Sequence, residues 1–153
     1  MIRTDKRIRI CTALLILNLC FIWGNSLLPG EISGALSDWV KSLLEALVPG
    51  DGSQAPGGGM LRKLAHFTEF MGLGIWLLWL FSMLGKSGMP AFFCGALAAC
   101  VDETIQMFVP DRGPSLKDVG IDACGVLTGM ILLQIGYVLW TRKQTTHFGG
   151  NNK

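Results

Sequence analysis

The chain has 153 residues, half of them hydrophobic and only 16% charged, and its mean hydropathy is positive. That is too apolar for an ordinary soluble domain, and four membrane spans of roughly 20 residues each with short loops would use up the length. A net charge of +2, with the basic residues divided among short segments, excludes a nucleic-acid partner.

The N-terminal MIRTDKRIRI followed by CTALLILNLCFIWG has the basic and apolar regions of a secretory signal. Its apolar run is long for one, and the bulky Phe21, Ile22 and Trp23 leave no small-x-small cleavage site. A retained first span over about 8–28 is therefore expected, with Asn18, Asn25 and Ser26 as its polar residues.

After Pro29 and Gly30, the residues Ile32, Leu36, Trp39, Val40, Leu43, Leu44 and Leu47 recur every three or four positions, with Glu31, Asp38, Lys41 and Glu45 between them. This is the pattern of an amphipathic helix over 31–48, too charged to span and suited to lie on the membrane surface with Trp39 at headgroup depth. Residues 49–59, PGDGSQAPGGG, read as a flexible tether.

Span two, about 60–84, begins with the polar LRKLAHFTEF before a wholly apolar run, and GKSGM ends it. Span three, about 90–109, is apolar except for VDETIQ near its end. PDRGPSLK leads into span four, about 118–140, which is polar only at its start. The expected architecture is all-α: one membrane domain of four transmembrane helices plus an interfacial helix between the first and second.

Lysine and arginine decide the orientation. One side carries Arg3, Lys6, Arg7, Arg9, Lys86, Arg142, Lys143 and Lys153, and the other carries Lys41, Arg62, Lys63, Arg112 and Lys117. Both termini are expected in the cytoplasm, which brings the start of span two, the end of span three and the start of span four to the outer face.

The polar residues of those three ends share helical faces. Lys63, His66 and Glu69 are spaced three apart, with Phe70 and Leu73 continuing the face inward. Asp102, Glu103 and Gln106 fall within roughly 100° of arc. Asp118, Asp122, Gly125 and Gly129 form one stripe, whose glycines would let span four approach a neighbour closely. Arg112 lies in the loop above. Ionisable groups within spans are costly and normally face a bundle interior or a watery cavity, so coincidence at one depth on three helices points to a site. Asp111 and Lys117 read as solvated loop charges, His147 as an incidental tail residue, and Cys11, Cys20, Cys94, Cys100 and Cys124 as small apolar packing residues.

The run Lys63-Leu64-Ala65-His66-Phe67-Thr68-Glu69-Phe70, then Asp102-Glu103-Thr104-Ile105-Gln106, Pro110-Asp111-Arg112, Asp118-Val119 and the Gly125/Gly129 pair resembles the VanZ-like membrane protein family over about residues 8–140, and Asn25-Ser26 is a smaller match. The resemblance implies an envelope-facing role in a bacterial cytoplasmic membrane and, through the family's named member, low-level resistance to the lipoglycopeptide teicoplanin. This chain departs from it at Asp122, where the family commonly has asparagine, and in its longer amphipathic insertion, a candidate lid or partner surface.

Three uses of the site are open. In an acid/base enzyme on a lipid headgroup or lipid-linked wall intermediate, His66 or Glu69 would exchange the proton with Asp102 or Glu103 as partner. Asp118 would join the reacting carboxylates, and Lys63, Gln106, Arg112 and Asp122 would bind the substrate. A metal-assisted version would draw on His66, Glu69, Asp102, Glu103 and Asp118 as ligands of a divalent zinc or manganese ion. A non-catalytic binder would instead capture a lipid, a lipoglycopeptide or an envelope partner in an interhelical groove beside 31–48. Neither Ser115 nor Thr68 has a triad context, and four short spans without an inverted repeat fit a transporter poorly unless the chain oligomerises.

Overall fold

In the computed structural model, residues 2–47 and 58–149 are described, and they form five helices and no strand. These are α1 (Ile2–Ser26), α2 (Gly30–Leu47), α3 (Gly58–Met83), α4 (Gly88–Gln106) and α5 (Leu116–Gly149). Four of them, α1, α3, α4 and α5, are long and apolar enough to cross a membrane.

The helix ends follow local chemistry. Gly85, at φ 68°, takes the left-handed conformation that closes α3, and the Lys86 amide donates to the Phe81 carbonyl at 2.9 Å. Pro90 sits in the first turn of α4, where its missing N–H costs no helical bond. α4 stops at Gln106 rather than near Val109, because residues 107–109 turn back through Met107, Phe108 and Val109 amide bonds to the last turn. α3 begins at Gly58, so the last two residues of the expected tether are helical, and the rest of it lies outside the described residues.

α3 and α5 form the centre. A Cβ at Gly129 would overlap the Met71 carbonyl, one at Gly125 the Phe67 carbonyl, and one at Gly74 the Val126 carbonyl. The two backbones are therefore closer than any larger residue at these positions permits, which is the small-residue packing expected where lipid supplies no hydrophobic drive. Phe70, Leu73, Leu77, Leu78, Val126 and Met130 fill the core, and α4 adds Ala91, Ala98 and Ala99. The outside is covered by exposed apolar side chains, among them Leu17, Phe21, Phe93, Leu97, Ile131 and Ile135, a surface suited to lipid rather than water.

Of the five cysteines only Cys11 is buried; Cys20, Cys94, Cys100 and Cys124 face outward and do not pack in the core. Their apolar surroundings in sequence did not separate a core face from a lipid face.

α2 has its apolar side turned away from the protein: Ile32, Leu36, Trp39 and Leu43 are exposed, whereas Ser33 and Ser37 are half-buried. It is anchored at its start, where the Gly30 amide donates to the Pro110 carbonyl at 3.1 Å and a Cβ on Gly30 would overlap the Asp111 carbonyl. Asp111 itself has φ 58°, a left-handed turn residue.

Candidate functional site

The antiparallel course of the helices collects the C-terminal ends of α1 and α4 and the N-terminal ends of α3 and α5 at one end of the bundle. On α4 the buried stripe Ala91, Gly95, Ala98 continues to Asp102 and Gln106, so the face that packs the core also carries the polar groups. On α5, Asp122 heads the stripe of Gly125, Val126, Gly129 and Met130. Asp122 is about 9 Å along the axis from the start of α5, well inside the span.

Asp102 is the centre of the polar network and is fully buried. Its Oδ1 accepts from Ser26 Oγ at 2.7 Å, and its Oδ2 accepts from Gln106 Nε2 at 2.9 Å. His66 Nδ1 lies 3.6 Å from Oδ2, just too far for a hydrogen bond. Glu69 Oε1 accepts from Asn25 Nδ2 at 2.7 Å, while its Oε2 is buried without a partner. Glu103 Oε2 accepts the Ser115 backbone amide at 2.7 Å, immediately before α5, which ties α4 to the positive end of that helix. Asp122 is 1% exposed and neither of its carboxylate oxygens has a hydrogen-bond partner.

Basic groups rim this acidic interior. Lys63, largely exposed, pairs with Asp118 at 3.2 Å. Arg112 donates from Nη2 to the Asn25 carbonyl at 3.0 Å, and its Nε and Nη1 are buried without partners. Burial, and then the nearby Arg62 guanidinium, pull Arg112 below the ordinary arginine value. An arginine remains charged under such a shift, so the effect is a cation held where an anion would relieve it.

Two cavities open here. The first, about 50 Å³, has Arg62, Lys63, His66, Gln106, Arg112 and Asp122 in its lining, together with Glu103, Asp118 and the exposed Asp111. The second, about 80 Å³, lies beneath α2 against Asn25, Ser33, Ser37 and Glu69. Arg62, His66 and Arg112 line both.

All nine residues expected at the site, Lys63, His66, Glu69, Asp102, Glu103, Gln106, Arg112, Asp118 and Asp122, therefore converge, but they divide. Glu69 belongs to the cavity under α2, whereas Glu103, Asp118 and Asp122 belong to the other. Arg62, which sequence reasoning used only for orientation, proves central. The signal was present in its spacing: 62, 66, 69 and 73 follow the four-three-four step of a buried helical stripe, whereas Lys63 falls to its side. Ser26 and Asn25 were legible as polar residues ending a span, but not as the partners of Asp102 and Glu69.

Comparison with known proteins adds one finding. A family model described as VanZ/LLP1 matches residues 11–139, a stretch that includes every residue of the site. No curated protein and no solved structure matches the chain.

Proposed function

This chain belongs to the VanZ/LLP1 family, and we propose that it holds the anionic headgroup of a membrane lipid or of a lipid-linked cell-wall intermediate at its converging helix ends. The observation that carries this reading is Arg112, charged, half-buried, and with Nε and Nη1 unpartnered beside Arg62. A guanidinium fork is the side chain best matched to phosphate oxygens. The exposed apolar side of α2, next to the second cavity, offers acyl chains a surface. Cavities of 50 and 80 Å³ admit a small polar group or a few waters. They are far below the roughly 300–1,000 Å³ of a pocket for a drug-sized ligand. Lower susceptibility to teicoplanin would on this reading come from the lipid handled, not from enclosing the antibiotic.

The test is retention of phosphatidylglycerol against phosphatidylcholine by the purified protein, read by mass spectrometry of co-purified lipid and by titration in detergent. Arg112→Gln is expected to weaken retention of the anionic lipid by about 10- to 100-fold, the scale of a lost hydrogen bond to a charged group. Arg112→Lys should fall between. Equal retention by the wild type and Arg112→Gln would overturn the reading.

The fully buried Asp102 beside His66 favours a chemical extension, in which the imidazole exchanges a proton with the held group while the carboxylate orients it. The outer leaflet of a bacterial cytoplasmic membrane is the proposed location, with both termini inside. Arg62, Lys63 and Arg112 are engaged at the site, which leaves Lys41 of α2 and Lys117 at the start of α5 as the further basic residues on that side against eight lysines and arginines opposite. In a background lacking the native cysteines, a membrane-impermeant maleimide on whole cells should label Lys117→Cys and spare Lys86→Cys. The reverse pattern would invert the site.

A further inference from the structure

We propose that His66, Asp102 and Asp122 bind one divalent transition-metal ion of the zinc or manganese class. The three side chains come from α3, α4 and α5, and one ligand atom of each lies within 4.8 Å of the others. One imidazole nitrogen with two carboxylates is a donor set that suits these ions. The set differs from the one the sequence suggested: Glu69 is turned to the cavity under α2, Glu103 holds the Ser115 amide and Asp118 pairs with Lys63, while Asp122 takes their place.

Asp122 supplies the second observation. It is 1% exposed, both its oxygens lack a partner, and it faces the cavity that His66 also lines. A carboxylate enclosed within a membrane span and given no donor is suited to a cation. The other buried charged side chains among the described residues, Asp102 and Glu103, are also acids, and Arg112, which lines the same cavity with its Nε and Nη1 buried, donates no hydrogen bond to Asp122.

The spacing agrees. His66 Nδ1 and Asp102 Oδ2 are 3.6 Å apart, beyond hydrogen-bond range. Two donors on one tetrahedral zinc ion stand about 3.4 Å apart, given metal–ligand distances near 2.1 Å. Ser26 and Gln106, which donate to Asp102, would be the outer groups that fix a ligand's orientation. Three protein ligands leave a coordination position, and the adjoining 50 Å³ cavity has room for the water that would fill it. Nothing in this assignment depends on a lipid being bound.

Full-length protein in detergent, stripped with a chelator and titrated with zinc or manganese ions alone in competition with a chromophoric chelator, tests it. One ion per chain is expected after desalting, counted by elemental analysis. Asp122→Asn and His66→Gln should each weaken binding by at least the roughly 10- to 100-fold that loss of an outer-shell partner costs a metal site. Lys86→Gln, in the exposed turn between α3 and α4 at the other end of the bundle, should leave it unchanged. Tryptophan fluorescence and melting check that each variant is folded. Should one variant not fold, the other and the visible absorption of the cobalt-loaded wild type decide. Absence of stoichiometric metal in the wild type, or undiminished affinity in a folded Asp122→Asn, would overturn the assignment. Lipid retention by the chelator-stripped protein is measured in parallel, so that loss of the metal site and loss of the headgroup site are told apart.

Discussion

Gly129→Ile is expected to destabilise the bundle by about 3 kcal/mol, the upper part of the range for an overpacked core. The first added carbon would already overlap the Met71 carbonyl, and the Ile75 amide lies just beyond it. Neither is the movable end of a side chain; both are backbone of α3, so the helices must part. Gly129→Ala should show a smaller loss, because the same overlap is partly offset by the roughly 1 kcal/mol by which alanine outranks glycine in a helix. Gly136→Ala is the control, since a Cβ there meets nothing within 4 Å and only the propensity gain remains. The measurement is the unfolding midpoint in mixed detergent micelles, followed by helical circular dichroism. A midpoint for Gly129→Ile equal to that of the wild type would show that α3 and α5 do not pack on these glycines. Parting α3 from α5 also separates His66 from Asp122, so bound metal should fall along with stability.

The glycine stripe shows how far sequence reaches in a membrane protein. Gly125 and Gly129 in register with Asp122 announce a close helix contact, because apolar residues alone cannot distinguish a core face from a lipid face when both sides are hydrophobic. The same ambiguity explains the cysteines: four that read as packing residues face outward. Polar residues within spans carried most of the legible signal, since each must find a partner or a cavity. They picked out the side chains that converge at one end of the bundle while leaving their pairings open. That Asp102 takes Ser26 and Gln106, that Glu103 takes a backbone amide, and that Glu69 turns to α2 depend on helix rotations of a few tens of degrees, which periodicity does not fix. Arg62 was obscured by its neighbour Lys63, one residue and 100° away on the helix. α2 was legible as amphipathic, but its attachment was not, because it rests on a glycine backbone against the turn at Asp111.

Asp102 separates the structural from the chemical use of a buried carboxylate. Asp102→Ala removes the acceptor of two buried donors, Ser26 Oγ and Gln106 Nε2, and leaves the amide only its long 3.4 Å contact with Ser26. The interhelical bond is worth roughly 0.6 to 1.7 kcal/mol in a membrane protein, and the stranded amide adds about 1 to 3 kcal/mol. A loss of about 2 to 4 kcal/mol is therefore expected in the same unfolding assay. Asp102→Asn behaves differently. Its carbonyl oxygen can still accept from Ser26, and the Gln106 amide can flip to present its own oxygen to the new NH2 group. The flip sacrifices only the long 3.4 Å contact of Gln106 with Ser26, so stability should change by less than about 1 kcal/mol. What the asparagine cannot replace is the negative charge beside His66. Ser26→Ala, which removes one donor and leaves the carboxylate, should fall between the two Asp102 variants in stability. Added to Asp102→Ala it should cost little more, because its partner is already gone. Equal losses in Asp102→Ala and Asp102→Asn would mean that charge, not hydrogen bonding, is what Asp102 contributes to the fold. The expected inequality would leave that charge to act on the ion proposed at His66.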